Sequence, residues 1–324
     1  MTASAEAPAV ARASQGRVPD FFIVGHPKCG TTALYEMLRR HPQIYMPDVK
    51  ETRFFAPELH PGSHKSRLHP ETIEDYLALF AGAEPQQRLG EASPSYLRSH
   101  SAAARIAELQ PDARIIAILR EPADFLRSLH MELLRDHVET EPDLAKAMAL
   151  EPLRSGEEAR RRSPGLVYSE YVHYVEQLRR YHAVFPPEQV LVLIYDDFRS
   201  DNESTVRSVL QFLGVDAAAA IEATDANPTV RVRSLRMYEL VRSLYMGRGP
   251  VARTLKAGVK ALTPRRLRRD ALRTLRRRVL YGKPRPADEQ LMLQLRRRFE
   301  GEVVELSEYL DRDLVRLWGY DSIG

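Results

Sequence analysis

The chain has 324 residues, of which 44% are hydrophobic and 28% charged, and its formal net charge is +4. This composition excludes a disordered chain and a collagen, and the single cysteine, Cys29, excludes an internal disulfide. No apolar run approaches the roughly 20 residues that a membrane-spanning helix needs. The positive charge favours anionic partners without identifying them.

Two parts of the chain differ in composition from the rest. Residues 1–17 are rich in alanine and serine but lack the apolar core of a secretion signal, so we expect a flexible leader. Residues 18–324 are expected to form a single domain. Its basic helical region, at about 230–285, is expected to be a lid or flank, because Ala252–Arg278 carries many arginines and lysines against a single acid, Asp270.

Apolar runs and helical periodicity predict strands that alternate with helices. Strands are predicted at Phe21–Gly25, Ile44–Met46, Gly90–Tyr96, Arg114–Arg120 and Val190–Tyr195. Helices are predicted at Thr31–Arg40, Thr72–Phe80, Ala102–Leu109, Pro122–Arg135, Tyr168–Phe185, Val206–Leu213 and Leu291–Leu310, with Trp318 packed at the end of the last. This alternation predicts an α/β fold in three layers, with a central, mostly parallel sheet flanked by helices on both faces.

The loop between the first strand and the first helix is the most informative segment. It reads Gly25-His26-Pro27-Lys28-Cys29-Gly30-Thr31-Thr32, and its glycines have the Gly-x-x-x-x-Gly spacing of a P-loop. At such a junction, unpaired backbone N–H groups and the helix dipole attract an anion. The Gly-Lys-Ser/Thr ending of nucleoside-triphosphatases is missing, because Lys28 lies inside the loop. The loop therefore predicts a P-loop-like phosphate site of another kind.

A series of segments, in order along the chain, resembles the motifs of sulfotransferases that use 3′-phosphoadenosine 5′-phosphosulfate (PAPS). The segments are PKCGTT at 27–32, DVKETRFF at 48–55, GEASPSYL at 90–97, ILREPADFLRS at 118–128 and VLVLIYDDF at 190–198. The resemblance is to the heparan-type and related bacterial carbohydrate sulfotransferases, and it covers Phe21 to about Gly214. It implies a P-loop-like fold and a sulfuryl-transfer reaction.

The resemblance implies how the loop holds the phosphosulfate end of the donor. The backbone N–H groups of Cys29 and Gly30 and the hydroxyls of Thr31 and Thr32 would bind the 5′-phosphate, and the Cys29 thiol is assigned no chemistry. Lys28 would neutralise the charge that builds on the bridging oxygen as the S–O bond breaks, which stabilises the transition state more than the ground state.

The 3′-phosphate of the donor would bind elsewhere at the carboxyl edge of the sheet. The resemblance assigns it to Arg120, whose planar guanidinium matches a phosphate, and to Ser128 on the following helix. Lys283 and Arg285, just before the last predicted helix, would also serve this phosphate, by a looser match to the family.

On the acceptor side, the resemblance makes Glu51 the general base that removes the acceptor's proton. Lys50 would contact the leaving phosphosulfate, although neighbouring residues of an extended segment point to opposite sides, so one of the two is expected to face away. Rival bases are Glu91, His26, His60, His64, His69 and His130. Two residues depart from the family, His130 where many relatives have an aromatic and Glu132 where heparan-type members often have histidine.

We therefore expect a cytoplasmic PAPS-dependent sulfotransferase whose acceptor is a hydroxyl or amine of a carbohydrate, a glycolipid or a secondary metabolite. The chemistry needs no metal, since cations and loop amides supply the positive charge. Two alternatives remain open: a P-loop kinase using ATP and magnesium, and a non-catalytic polyanion-binding module. Three interpretations of the stretch 252–278 stay open. It forms the solvent-exposed face of an amphipathic helix, it lines a groove that binds an acidic acceptor, or it contacts an anionic membrane. No nucleic-acid partner is expected, because no aromatic stacking platform accompanies the charges.

Overall fold

A five-stranded sheet lies at the centre of the computed structural model, which describes residues 17–59, 69–136, 138–162, 165–221, 231–232, 281–282 and 288–323. Its strands are β1 (Phe21–Gly25), β2 (Ile44–Tyr45), β3 (Arg88–Ala92), β4 (Arg114–Leu119) and β5 (Val190–Ile194). Their order is β2-β3-β1-β4-β5, and each pairing is parallel, which confirms the predicted sheet. Because parallel strands end at a common edge, the segments after β1, β3 and β4 meet there.

The inner strands are buried on both faces, and their sequences show why. All five residues of β1 are buried, and β4 reads RIIAIL with only its first residue partly exposed. Continuous apolar runs of this kind are typical of parallel strands covered by helices on both sides. The contact between β1 and β3 is close, because a side-chain carbon at Gly90 would overlap the ring of Phe21.

Helices flank the sheet along the whole of the described chain. They are α1 (Thr31–Arg39), α2 (Ile73–Ala78), α3 (Ala102–Leu109), α4 (Pro122–Arg135), α5 (Leu144–Ala149), α6 (Glu151–Arg154), α7 (Glu157–Arg162), α8 (Tyr174–His182), α9 (Tyr195–Ser200), α10 (Asn202–Leu213), α11 (Glu289–Tyr309) and α12 (Leu314–Leu317). The predicted bounds of α3 and α4 are confirmed.

The capping residue Glu121 fixes where helix α4 begins. The side chain of Glu121 accepts hydrogen bonds from the N–H groups of Ala123 and Asp124 at 3.1 and 2.6 Å, and Pro122 occupies the first position of α4. Both features favour a helix start at this point. The orientation of α4 relative to β4 is therefore set immediately after Arg120.

The helix predicted at Tyr168–Phe185 is wrong in its first part. The structure has a 3-10 turn at Ser169–Tyr171, and α8 begins only at Tyr174. The N–H of Val175 donates to Glu302 of α11 at 2.9 Å, so a distant helix caps the start of α8. Tertiary contact overrides the local periodicity here.

Four predicted strands also end earlier than expected, and those predicted at Ile44–Met46 and Arg114–Arg120 do so by one residue, at Tyr45 and Leu119. The strand predicted at Gly90–Tyr96 ends at Ala92, and the chain then turns, with the Tyr96 N–H donating to the Ser93 carbonyl at 3.0 Å. The strand predicted at Val190–Tyr195 ends at Ile194, where α9 begins.

The C-terminal helices are tied to the segment that follows β5. Trp318 is buried and its indole N–H donates to Asp196 at 2.9 Å, while Arg312 makes two contacts with Asp197 at 2.6 and 2.7 Å. Trp318, expected to pack at the end of the last long helix, follows α12 directly and contacts the segment after β5. A two-stranded antiparallel ribbon, Arg231–Val232 with Tyr281–Gly282, lies against α4.

Several predicted features lie outside the described residues. They are the leader at residues 1–16, His60, His64, the basic stretch 252–278, Lys283 and Arg285. Among the helices within the described ranges, none is long and apolar enough to cross a bilayer.

The close packing of β1 on β3 gives a test of the sheet. Gly90→Ala should lower the free energy of unfolding by about 2 kcal/mol, because the added methyl group overpacks the Phe21 ring. Urea denaturation measures the change. Gly156→Ala is the matched control, since its methyl group would meet no atom within 4 Å. Equal denaturation midpoints for the two variants would contradict this packing.

Candidate active site

The loop after β1 is built around two residues with left-handed backbone. Lys28 has φ 63° and Gly30 has φ 86°. A side-chain carbon at Gly30 would lie 2.9 Å from the ring of Phe198, so only glycine fits this position. Gly30 is also the residue before α1, and no side chain caps that helix. The first N–H groups of α1 therefore lack helical partners and are available to an anion.

The side chains that follow Lys28 in the loop are packed inward. Cys29 is fully buried and Thr31 is 3% exposed, while Thr32 is partly exposed. Burial raises the pKa of the Cys29 thiol to about 12, and the charge of Arg120 opposes this only weakly. The thiol therefore stays protonated at neutral pH, in agreement with the absence of any chemistry assigned to it.

Lys28 and Glu132 form an ion pair that joins the loop to α4. Their Nζ and Oε2 atoms are 2.8 Å apart, and their side chains are 13% and 27% exposed. Arg135, one turn further along α4, lies 3.6 Å from the same carboxylate oxygen. Sequence reasoning noted Glu132 only as a departure from the family and missed this pairing. An anion that binds Lys28 must compete with the Glu132 carboxylate.

Arg120 also contacts the loop. Its guanidinium donates to the carbonyl oxygen of Lys28 at 3.3 Å and lies 4.7 Å from the ring centroid of Tyr195, over its face. The hydroxyl of Tyr174 donates to the Arg120 carbonyl at 2.9 Å. The structure thus places Arg120 against the loop that carries Lys28, a contact that the sequence did not predict, and adds Tyr195 as the aromatic residue on which Arg120 stacks.

Ser128 has the property expected of a ligand-binding hydroxyl. It is 2% exposed, and within the described part of the chain its Oγ has no hydrogen-bond partner. A buried polar group left in this state costs about 1–3 kcal/mol. Because residues four apart share one side of a helix, Ser128 lies on the side of α4 that carries Glu132, which contacts Lys28. A phosphate oxygen at this place would satisfy the hydroxyl.

Glu121 is a site-supporting residue that sequence reasoning missed. Besides capping α4, its carboxylate accepts from the hydroxyl of Tyr320 at 2.7 Å and lies 3.6 Å from Arg296. Burial raises its pKa, while the hydrogen bond from Tyr320 acts in the opposite direction. Since Glu121 follows Arg120 directly, the C-terminal segment helps to fix the Arg120 backbone.

Lys50 and Glu51 point to the same side, contrary to the expectation that one faces away. Lys50 Nζ is 2.9 Å from Glu51 Oε1, and an Arg53 guanidinium nitrogen is 3.4 Å from Oε2. Glu51 has φ 62°, so the alternation of an extended segment does not apply. Partial burial acts to raise the Glu51 pKa, but Lys50 and Arg53 outweigh it and hold the pKa below its usual value.

Glu91, the rival carboxylate, lies in the interior. It is 1% exposed and its carboxyl oxygens accept from the hydroxyls of Ser93 at 2.6 Å and Tyr76 at 3.5 Å. Burial raises the pKa of Glu91 to about 7, partly offset by these hydroxyls. The Glu91 carboxyl already has hydroxyl partners within the protein, unlike the Ser128 hydroxyl described above, so it is a poor candidate for the base.

Three of the rival histidines fall within the described residues. His26 is fully buried, its Nε2 is 2.6 Å from Gln177, and burial lowers its pKa to about 3. His130 is buried, with Nδ1 2.8 Å from the hydroxyl of Tyr168. His69 is different, because its ring hydrogen-bonds the backbone of Thr52, next to Glu51. Sequence reasoning gave His69 no preference over the other histidines.

Comparison with known proteins decides the family. The family model described as "Sulfotransferase family" matches residues 19–219, which is more than half of the chain. The chain belongs to the sulfotransferase family. The resemblance carried by the sequence motifs is thereby confirmed, and the loop after β1 lies inside the matched region.

Individual relatives agree with this assignment. The chain is 31% identical over 208 residues to the human bifunctional heparan sulfate N-deacetylase/N-sulfotransferase 3, covering 61% of this chain and 22% of the relative. It is 27% identical over 250 residues to mouse carbohydrate sulfotransferase 15, covering 61% of this chain and 44% of the relative. The sulfotransferase thus spans less than half the length of either curated relative.

A solved structure matches over a larger share of its own length. It is a sulfotransferase from Alicyclobacillus acidocaldarius, with 34% identity and a TM-score of 0.58. The match covers 70% of this chain and 91% of that chain. The P-loop-like fold that the sequence predicts is confirmed by this likeness together with the parallel sheet.

The raised pKa of Glu91 predicts how stability depends on pH. The Glu91 carboxyl has a usual pKa of 4.5 and a pKa of about 7 in the folded protein. Between these two pH values the folded protein keeps a proton that the unfolded chain has lost. The contribution of Glu91 to stability is therefore full below about pH 4.5 and falls, by up to about 3 kcal/mol, as the pH rises through 7.

Urea denaturation of the wild type and Glu91→Gln at pH 5 and pH 8 measures this contribution. The glutamine cannot ionise, so the wild type should lose stability relative to the variant at the higher pH. A difference between the two proteins that stays constant with pH would show that Glu91 ionises normally.

Proposed function

We propose that the protein transfers a sulfuryl group from PAPS to a hydroxyl or amine of a carbohydrate acceptor. The observation that carries the proposal is the contact of Lys28 with Glu132 of α4 and of Arg120 with the Lys28 carbonyl, at the loop that precedes the uncapped start of α1, together with the unpartnered Ser128 hydroxyl on α4. Two cations, free N–H groups and a buried hydroxyl are the groups that a nucleotide with phosphates at two positions requires.

The donor would bind with its 5′-phosphosulfate in the loop after β1. The N–H groups of Cys29 and Gly30 and the hydroxyls of Thr31 and Thr32 orient the 5′-phosphate. Arg120 and Ser128 take the 3′-phosphate, and Ser128 thereby gains the partner that the buried hydroxyl lacks. Lys283 and Arg285 remain predicted contacts of this phosphate.

The Lys28 ammonium supplies the electrostatic part of the reaction. As the acceptor oxygen or nitrogen bonds to sulfur, the S–O bond to the 5′-phosphate breaks and negative charge collects on the former bridging oxygen. Lys28 neutralises that charge, after the donor has replaced Glu132 as the partner of the ammonium. Positioning and electrostatics dominate the analogous phosphoryl transfer, so the protein needs no covalent intermediate. The products are a sulfated acceptor and adenosine 3′,5′-bisphosphate.

Glu51 would accept the proton that the acceptor loses. Its side chain is 42% exposed, so an acceptor can reach it, and its lowered pKa keeps it ionised at neutral pH. The nearby Lys50 and Arg53 are in place to attract an anionic group on the donor or the acceptor. His69, beside Thr52, is the alternative base that the geometry favours over the other described histidines.

A carbohydrate acceptor is supported by the relatives, whose names specify heparan sulfate and carbohydrate sulfotransferases. A panel of desulfated glycosaminoglycan oligosaccharides, neutral glycans, glycolipids and phenols, incubated with labelled PAPS, tests this class. Transfer to the phenols alone would contradict it.

Calorimetry tests the nucleotide. Adenosine 3′,5′-bisphosphate should bind at least about tenfold more tightly than ATP with magnesium, because Arg120 and Ser128 serve a 3′-phosphate that ATP lacks. Ser128→Ala should remove most of this preference. Tighter binding of ATP with magnesium would favour a P-loop kinase instead. If the Lys28→Ala and Arg120→Ala variants still bind either nucleotide as tightly as the wild type does, a polyanion-binding module is favoured.

Turnover of Glu51→Gln tests the base. Under saturating donor, kcat should fall by about 10²- to 10⁴-fold, while binding of adenosine 3′,5′-bisphosphate is retained.

Since Lys50 lowers the Glu51 pKa, the activity of the wild type should fall only below the usual glutamate pKa of 4.5. Lys50→Gln should move that acid limb to higher pH. Near-normal turnover of Glu51→Gln, with loss in His69→Gln, would assign the base to His69.

A further inference from the structure

A buried cluster of hydroxyl groups surrounds the carboxyl of Glu91, directly behind the segment that carries Glu51. Ser93 donates to Glu91 at 2.6 Å and Tyr76 donates at 3.5 Å, while the hydroxyls of Tyr96 and Thr52 lie near the carboxyl and 3.1 Å from each other. Glu91 lies in β3, Tyr76 lies in α2, and Thr52 belongs to the Glu51 segment itself. The cluster therefore joins three parts of the chain.

The same hydroxyls bind the backbone of the Glu51 segment. The Arg53 N–H donates to Ser93 Oγ at 3.2 Å, and the Phe55 N–H donates to the Tyr96 hydroxyl at 3.3 Å. The Glu51 N–H donates to the carbonyl of Ala92, next to Glu91, at 2.9 Å. Residues 51–55 are thus attached at three points to the end of β3 and the turn that follows it.

These attachments hold an unfavourable backbone conformation. Glu51 and Arg53 have φ 62° and 60°, the left-handed region that side chains other than glycine rarely adopt. Such residues persist only where surrounding contacts determine them. In this segment the left-handed turn at Glu51 is what places its carboxylate beside Lys50 and Arg53 rather than on the opposite side.

We propose that Glu91 is a positioning residue, which acts through Ser93 to hold the Glu51 carboxylate in place for the acceptor. This inference rests on the proposed function, in which Glu51 is the base. Glu91 does not touch substrate. Its carboxyl accepts a hydrogen bond from the Ser93 hydroxyl, which in turn accepts from the Arg53 N–H, so losing its oxygens loosens the segment while leaving the donor loop unchanged.

A pair of substitutions separates the hydrogen bonds of Glu91 from its packing. Glu91→Gln keeps an oxygen that accepts from Ser93, whereas Glu91→Met has a similar volume and no such acceptor. Ser93→Ala removes the link to the Arg53 N–H and is a milder change if Glu91→Met fails to fold. Ser99→Ala is the matched control, because its hydroxyl bonds Glu58, Ser101 and the start of α3 rather than residues 50–56.

Amide exchange of residues 50–56 in the full chain is the first readout. Ser93→Ala and Glu91→Met should exchange about tenfold faster there, the factor expected for loss of one hydrogen bond. Glu91→Gln should stay close to the wild type, and Ser99→Ala should leave this segment unchanged. Unchanged exchange in Ser93→Ala, or an equal increase throughout the sheet, would overturn the proposal.

Sulfuryl transfer to the acceptor identified by the panel gives the second readout. Ser93→Ala should lower kcat about tenfold or more, with affinity for adenosine 3′,5′-bisphosphate within about twofold of the wild type. In a Glu51→Gln background Ser93→Ala should cause no further fall in kcat, because it acts only through Glu51. Additive losses would overturn the positioning role. Normal turnover of Glu51→Gln alone would instead refute the base assignment.

Discussion

The short turn between β1 and α1 is the constraint on which the rest of the site depends. Lys28 adopts the left-handed region within this turn, and Gly30 does so under the ring of Phe198. Gly30 precedes α1 without a side-chain cap, so the first N–H groups of the helix have no partner within the helix. A parallel sheet brings the ends of β3 and β4 to the same edge. Every other candidate residue is placed relative to this turn.

The cations of the candidate site are paired with carboxylates of the chain itself. Glu132 neutralises Lys28, and Glu51 lies between Lys50 and Arg53. Each of these pairs is partly exposed, so each contributes little to the stability of the fold. In the proposed reaction these cations are oriented in advance and exchange a carboxylate for an anionic ligand. Catalytic power of this kind comes from charges fixed before the substrate arrives.

The parts of this account that sequence could predict are those whose determinants are local. The loop at Gly25–Thr32 contains its own strand end, glycine and helix start, and the bounds of α4 follow from Glu121-Pro122 and a clear apolar periodicity. The parallel sheet follows from the alternation of strands and helices.

The parts that sequence could not predict depend on contacts between distant segments. The pairing of Lys28 with Glu132 and the stacking of Arg120 on Tyr195 require the folded sheet edge. The start of α8 depends on a cap from Glu302, more than a hundred residues away. The direction of Glu51 was missed because its left-handed backbone has no glycine to signal it.

A structure of the protein with PAPS tests the central claim most directly. The account predicts that Lys28 Nζ leaves Glu132 and lies within about 3.2 Å of the oxygen that joins phosphorus to sulfur. It also predicts that Ser128 Oγ gains a phosphate oxygen as its partner. A phosphosulfate bound away from the β1–α1 turn, with the ion pair between Lys28 and Glu132 still intact, would contradict it.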